Sequence, residues 1–371
     1  MRRVALLALV AALAAPAAAR AAGPHVDADA YLIEDARTGE VLAAHDAHER
    51  RPIASITKLM TVIVALHHHA LGDVVTVDPR AAEVGEESIY LRAGEQLTVR
   101  DLVEAALIQS ANDAADALAL SVAPDYTSFA ALMNREARTL GLRDTHFVRP
   151  DGLDAPGEYS TAADVTTLAR DAMRVPFVRE TVRRETADIA GGRVLHTWDD
   201  LLGVLPGVIG VKTGHTNEAG WCQVAAIRGR GVTVYATILG SPDRQQRDDD
   251  LERLLVWGLA RFRTVPVVQA GRAYAAVALP YGRAPVQLVS PRPALATVRV
   301  DRPLVERVVA SASAPLPVRA GQVLGRVEVW GGGKLLARRP LVASRTVNRP
   351  GLLGRVGWYA GRTFHHVVDW F

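Results

Sequence analysis

At 371 residues, with 22% charged and 49% hydrophobic, the chain is long enough for two domains and too apolar to be disordered. Its formal charge of +3 reflects 43 basic against 40 acidic residues, and Arg2, Arg3 and Arg20 supply the whole excess. The remainder is balanced and shows no basic stripe with interleaved aromatics, which argues against nucleic acid as a partner.

Those arginines belong to the first predicted element. Met1-Arg2-Arg3 is a basic start, Val4 to Ala15 is an unbroken apolar run, and small residues offer Ala-x-Ala cleavage near Ala19 or Ala21. Residues 1–22 therefore read as a secretory signal peptide, with an apolar core too short to span a membrane. Ala30 to Ile33 and Val41 to Ala43 flank the turn Ala36-Arg37-Thr38-Gly39 as a hairpin. Ser55 then opens a helix whose wide apolar surface (Ile56, Leu59, Met60, Ile63, Val64 and Leu66) predicts deep burial. His67, His68 and His69 end it; consecutive helical side chains diverge, so they read as a solvated terminus and not as a metal site.

Thr98 with Asp101 reads as a capping pair for a helix through Leu107, and a second helical pattern runs from Ala114 to Val122. Ser110-Ala111-Asn112 falls at the break between them. That break can aim Ser110 and Asn112 into a cleft, although Ser, Asn and Asp are also ordinary capping residues. Gly207 to Val211 leads as a strand into Lys212-Thr213-Gly214-His215-Thr216, followed by antiparallel strands over Trp221 to Ile227 and Val232 to Leu239. Lys212 is thereby expected on a strand edge open to an extended peptide. Cys222, the single cysteine, has no partner for an internal disulfide and reads as a small core residue. A helix from Asp248 to Phe262 turns Leu251, Leu254, Leu255 and Gly258 inward.

Beyond a linker near Thr264 to Gly271, helical periodicity gives way to short alternating runs: Ala273 to Leu279, Val286 to Val289, Ala296 to Val300, Gln322 to Trp330 and Lys334 to Ala337. These predict a small all-β sandwich. In the last segment, Pro350 to Phe371, Arg355, Arg362, His366 and Asp369 share one helical stripe. Leu353, Val356, Ala360, Phe364, Val367, Val368 and Phe371 lie opposite, with Trp358 and Trp370 at the flanks. Such a helix is expected to lie in a membrane interface, with packing on the β domain or on a partner chain as the alternative. The resulting division is 1–22 leader, 25–264 catalytic domain, 270–347 β-sandwich and 350–371 membrane-anchoring helix.

The chemistry concentrates in three short motifs. Ser55 and Lys58 are three apart, so a helix presents both on one face. A hydroxyl becomes a useful nucleophile when a base removes its proton, and an amine loses basicity when buried near other cations, as Lys58 would be near Lys212. With Ser110-Ala111-Asn112 and Lys212-Thr213-Gly214 these residues form the set described for penicillin-binding proteins and class A β-lactamases. The wider contexts Ala54 to Thr61, Ile108 to Ala114, Gly210 to Thr216, Phe147 to Leu153 and Tyr159 to Ala162 closely resemble the D-alanyl-D-alanine carboxypeptidases, the low-molecular-mass penicillin-binding proteins that trim peptidoglycan.

That resemblance implies an α/β catalytic domain, with helices around a mainly antiparallel sheet, plus a C-terminal β domain. It implies that Ser55 attacks the carbonyl joining the last two D-alanines of a stem peptide and that Lys58 takes its proton. Ser110 would relay a proton to the departing amine, and Asn112 would hold the peptide amide. The backbone N–H groups of Ser55 and His215 would form the oxyanion hole. Lys212 and Thr213 would meet the terminal carboxylate, with Gly214 in the same strand. Arg247 is a further partner for that carboxylate; a surface arginine paired with Asp248 to Asp250 is the alternative, Arg244 is the nearest competitor, and the sequence leaves these open. β-Lactams are expected to acylate Ser55. No metal or organic cofactor is implied, and the location is periplasmic, at the outer face of the cytoplasmic membrane. Three rivals are weaker. A D,D-endopeptidase is chemically adjacent. A β-lactamase needs a glutamate-positioned water, and the context of Glu158 fits the carboxypeptidases better. A noncatalytic wall-binding scaffold predicts a broken motif set.

Overall fold

The structure is a computed structural model that describes residues 6–13 and 23–358. It divides into two units, one spanning Ala22–Ala260 and one holding Arg261 onward together with the N-terminal residues.

The larger unit is built on a five-stranded antiparallel sheet. Its strand order is Glu40–His45, Ala30–Asp35, Val232–Ser241, Gly220–Gly229, Val208–Thr216. Side chains alternate across a strand, so neighbouring positions serve different faces. Val234 meets the helix Arg244–Ala260, where Gly258 leaves no room for a Cβ: one would lie 2.8 Å from Val234. Thr237 points the other way and bonds Thr166 of the helix Ala162–Ala172 at 2.6 Å. On that second face lies the main core, containing Leu32, Val224, Tyr235 and Leu239. Cys222 is part of this core, and burial pushes its thiol up to about 12, as expected of an inert packing residue.

At the centre of the core runs the helix Lys58–His68, buried from Lys58 through Ala65. The helices Asn112–Val122, Tyr126–Leu140 and Ala162–Ala172 pack around it. The sequence predicts one helix from Ser55, but Ala54–Thr57 form a separate 3₁₀ turn before it. Thr98 and Asp101 form the reciprocal capping box that starts Val99–Glu104, and a π-turn over Ala105–Gln109 ends this run. Between it and Asn112–Val122 lies the expected break, where Ser110 adopts left-handed φ 66°.

The smaller unit carries two sheets, in keeping with the expected β domain. The first has the order Leu6–Leu13, Leu304–Ser311, Val323–Gly331, Lys334–Ala343, Val286–Val289, Ala273–Val277, and the second pairs Phe262–Val268 with Ala294–Arg299. Val277, Val286, Leu288, Val327, Val329 and Leu341 are fully buried in its core. Besides Leu6–Leu13, which falls in the expected leader, two of these strands have no counterpart in the sequence reading. Phe262–Val268 occupies the expected linker; Pro266 obscures it and is accommodated at a register shift in the ladder. Leu304–Ser311 is obscured by Glu306, which turns inward and is paired with Arg272 at 3.3 Å.

Of the expected leader, only Leu6–Leu13 is described; it pairs antiparallel along Leu304–Ser311. Of the expected terminal helix, residues 352–358 are helical, and 359–371, including Trp370, lie outside the described residues. Leu352, Leu353 and Val356 are exposed, whereas Trp358 packs edge-on against Tyr281 at 5.6 Å.

Candidate active site

The 3₁₀ turn explains how Ser55 reaches the surface of a buried segment. Ala54, Ile56 and Thr57 are buried within the turn, and Ser55 alone is partly exposed. Lys58 is fully buried, and its Nζ donates to Ser55 Oγ at 2.7 Å, Asn112 Oδ1 at 2.7 Å and the Asp151 carbonyl at 2.6 Å. Burial lowers its pKa to about 8, against the attraction of Asp151, Asp116, Glu87 and Glu158. The expected depression by Lys212 takes a different form: Lys212 is itself held well below its ordinary value, first by burial and then by the Lys58 charge. Burial is the largest cause of the lowering at Lys58, and repulsion between the two amines acts on the pair.

Lys212 sits in the strand Val208–Thr216, at the sheet edge as expected. Its Nζ donates to Ser110 Oγ at 2.9 Å and to the Thr213 carbonyl at 2.8 Å. The left-handed turn at Ser110 is what directs that hydroxyl toward the strand. Gly214 allows the strand to press on the nucleophile turn: a Cβ there would stand 3.1 Å from the Ser55 nitrogen and 3.0 Å from the Ile53 carbonyl. Asn112 is engaged at both ends, by Lys58 and by the Gly85 carbonyl at 3.3 Å, so its amide orients Lys58 when no peptide is present.

A cavity of about 320 Å³ opens on these groups, lined by Ser55, Ser110, Thr213, Gly214 and His215 together with Glu86, Glu87, Trp198, Trp221, Arg244 and Arg247. His215 stacks on Trp221 with ring centroids 4.1 Å apart. Both readings of Arg247 meet here. It belongs to the helix Arg244–Ala260, which starts four residues before the predicted Asp248. It is almost fully buried, bonds Asp248 at 2.6 Å and Asp200 at 3.0 Å, and still lines the cavity. Arg244 lines it too, gripping Asp200 through Nε at 2.6 Å and through a second nitrogen at 2.7 Å.

Three acidic groups around the site have roles that the sequence does not assign, and a fourth, Glu158, is read from sequence only as the water-positioning glutamate of a rival. Asp113 accepts from Ser88 Oγ at 2.6 Å and Leu91 N at 2.9 Å, which fixes the loop carrying Glu86 and Glu87. Asp116 is fully buried on the next turn of the same helix, facing the Tyr126 hydroxyl, and burial lifts it to about 7. Asp199 bonds Gln223 at 2.8 Å, and burial raises it as well. Glu158 bonds Thr57 Oγ1 at 2.9 Å and is lifted to about 7, again by burial first. A signal existed for Asp116 alone: a carboxylate inside an otherwise apolar helical pattern.

A buried lysine bonded to a surface serine, with a second lysine on an edge strand bonded to a second serine at a helix break, is the arrangement expected of an acyl-transferring serine enzyme. The comparisons agree with that chemistry. The family profile described as D-alanyl-D-alanine carboxypeptidase matches residues 17–243, and one described as the C-terminal domain of penicillin-binding protein 5 matches residues 262–349. The carboxypeptidase DacD of Salmonella typhimurium is 32% identical, covering 91% of this chain and 90% of the relative. DacA of Escherichia coli is 30% identical over 94% and 90%, respectively. The crystal structure of penicillin-binding protein 5 from Haemophilus influenzae superposes with a TM-score of 0.64 at 26% identity, covering 88% of this chain and 99% of that one. With its motif set, its two-unit architecture and its sequence all in agreement, the chain belongs to the D-alanyl-D-alanine carboxypeptidase family.

Proposed function

We propose that this serine carboxypeptidase removes the terminal D-alanine from peptidoglycan stem pentapeptides through an ester on Ser55. The observation that carries the residue assignment is the 2.7 Å bond between Ser55 Oγ and a lysine whose pKa burial lowers to about 8. Unprotonated Lys58 accepts the hydroxyl proton as Oγ attacks the carbonyl between the two D-alanines. The oxygen of the tetrahedral intermediate is held by the N–H groups of Ser55 and His215, where one donor contributes roughly 2.7–4 kcal/mol of barrier lowering. The close approach of Gly214 to the Ser55 nitrogen supports this placement of the two amides. Ser110, in contact with Lys212, passes a proton to the leaving amine, and water then cleaves the ester.

Lys212, Thr213 and Arg247 receive the free carboxylate. Burial and the Lys58 charge hold the pKa of Lys212 well below its ordinary value, and an arriving carboxylate raises it. The same docking accounts for covalent inhibition by β-lactams. The intact motif set disfavours a wall-binding scaffold, and both oxygens of Glu158 are occupied, unlike those of a water-activating glutamate. Residues 1–22 serve as an export leader, and 350–371 hold the protein on the outer face of the cytoplasmic membrane. The exposed Leu352, Leu353 and Val356 support the second assignment. No helix among the described residues is long and apolar enough to cross a membrane.

The test incubates purified protein with a stem pentapeptide and maps the adduct formed with penicillin. One D-alanine released per peptide, with the penicilloyl group on Ser55 and no labelling of Ser55→Ala, is the expected result. Rapid penicillin turnover, or binding without cleavage, would overturn it.

A further inference from the structure

We propose that Glu158 is a positioning residue for the Ser55–Lys58 pair: its carboxyl clips the loop that holds Lys58 to the start of the nucleophile helix. The inference rests on the reading of Ser55 as nucleophile and Lys58 as base.

Two of the three acceptors on Lys58 Nζ are side chains, Ser55 and Asn112, and the third is the backbone carbonyl of Asp151. Asp151 lies in a segment with neither helix nor strand, so its carbonyl is only as well placed as the loop itself. Glu158 fixes that loop. Its Oε2 accepts from Val148 N at 3.3 Å and Arg149 N at 3.0 Å, while Oε1 accepts from Thr57 Oγ1 at 2.9 Å. Thr57 is fully buried and immediately precedes Lys58. Two further ties complete the seam: Thr61 Oγ1 donates to the Pro150 carbonyl at 2.6 Å, and Arg149 grips the Asp151 carboxylate at 3.0 and 2.6 Å.

The clip works in either protonation state. Ionised, Oε1 accepts from the Thr57 hydroxyl; protonated, it donates to that same hydroxyl while Oε2 keeps both amides. Glutamine can reproduce the protonated pattern, and alanine can reproduce neither. Charge and geometry are therefore separable. The charged groups that Lys58 faces are Asp151, Asp116, Glu87, Glu158 and Lys212, and Glu158 itself faces Asp151. Replacing Glu158 by glutamine removes one anion that helps Lys58 keep its proton.

The experiment uses the full chain and follows acylation by a fluorescent penicillin and D-alanine release across a range of pH. Glu158→Ala is expected to slow acylation and kcat roughly 10- to 100-fold with little change in KM, as befits a misplaced reacting group. Glu158→Gln should stay within about threefold of the parent at its optimum, with the acid limb of its profile moved to lower pH. Thr57→Val keeps the volume, removes the clipped hydroxyl and should slow acylation as well; with Glu158→Gln it carries the test if thermal melting shows the alanine variant unfolded. Parental acylation in Glu158→Ala or Thr57→Val would overturn the proposal, as would a glutamine variant as impaired as the alanine one. An acyl-enzyme that accumulates in Glu158→Gln after normal acylation would also overturn it, by making Glu158 the deacylation base. A parent protein that never acylates at Ser55 sinks the functional reading instead, which keeps the two failures apart.

Discussion

In the proposed mechanism the chemistry turns on Lys58, because one side chain must be basic enough to accept the Ser55 proton and neutral often enough to try. Burial meets both demands by lowering its pKa to about 8. The sign follows directly. Below about pH 8 the amine is protonated and cannot act as base, so kcat/KM for acylation should rise with pH and level off above that value. Glu158 and Asp116, both lifted to about 7, lose protons as pH rises, and each new anion beside Lys58 holds its proton more firmly. The acid limb is therefore expected to be broader than that of a single group, which stopped-flow acylation at a series of pH values checks. A profile that is flat from pH 6 to 9 would contradict Lys58 as the base. Lys58 was legible in the sequence because its spacing from Ser55 is local. Asp116, Asp199 and the clip at Glu158 were not, because a carboxyl's role here depends on which distant groups surround it.

At the scale of elements, the site is assembled from short irregular turns set against regular ones. Ser55 rides on a 3₁₀ turn whose first residue, Ala54, has φ 49°, and Ser110 sits at φ 66° between a π-turn and a helix. Left-handed backbone at non-glycine residues costs about 1–3 kcal/mol each and persists where surrounding packing imposes it. At Ala54 that close packing is allowed by Gly152 and Gly214. Gly152 has φ 78°, and a Cβ on it would stand 2.2 Å from the Ala54 carbonyl oxygen. Gly152→Ala should therefore destabilise the fold by more than about 1 kcal/mol, through both the backbone conformation and the clash. The change should also slow acylation, since Ala54 carries Ser55. Urea unfolding and penicillin labelling measure the two effects, and an unchanged midpoint would refute the argument. The break before Asn112 could be predicted from capping residues, whereas the 3₁₀ and π turns could not, because helix periodicity does not distinguish them over so few residues.

For the whole molecule, the proposed anchoring predicts a separation of functions. Deleting Pro350 to Phe371 should move the protein from the membrane to the soluble fraction and leave pentapeptide cleavage largely intact, as fractionation and D-alanine release would reveal. A truncated protein that stays with membranes would refute that role for the segment. The sequence by itself determined the three-motif set, the helical core around Lys58, the antiparallel run ending in an edge strand, and the β-rich character of the second unit. Each of these depends on spacing, periodicity or composition, which are local properties. Only the tertiary structure decided that Phe262–Val268 is a strand, that Arg247 is at once buried, ion-paired and part of the cavity wall, and that Asn112 is engaged by Lys58. Those outcomes depend on desolvation and on contacts between residues far apart in the chain, and neither quantity exists until the chain has folded.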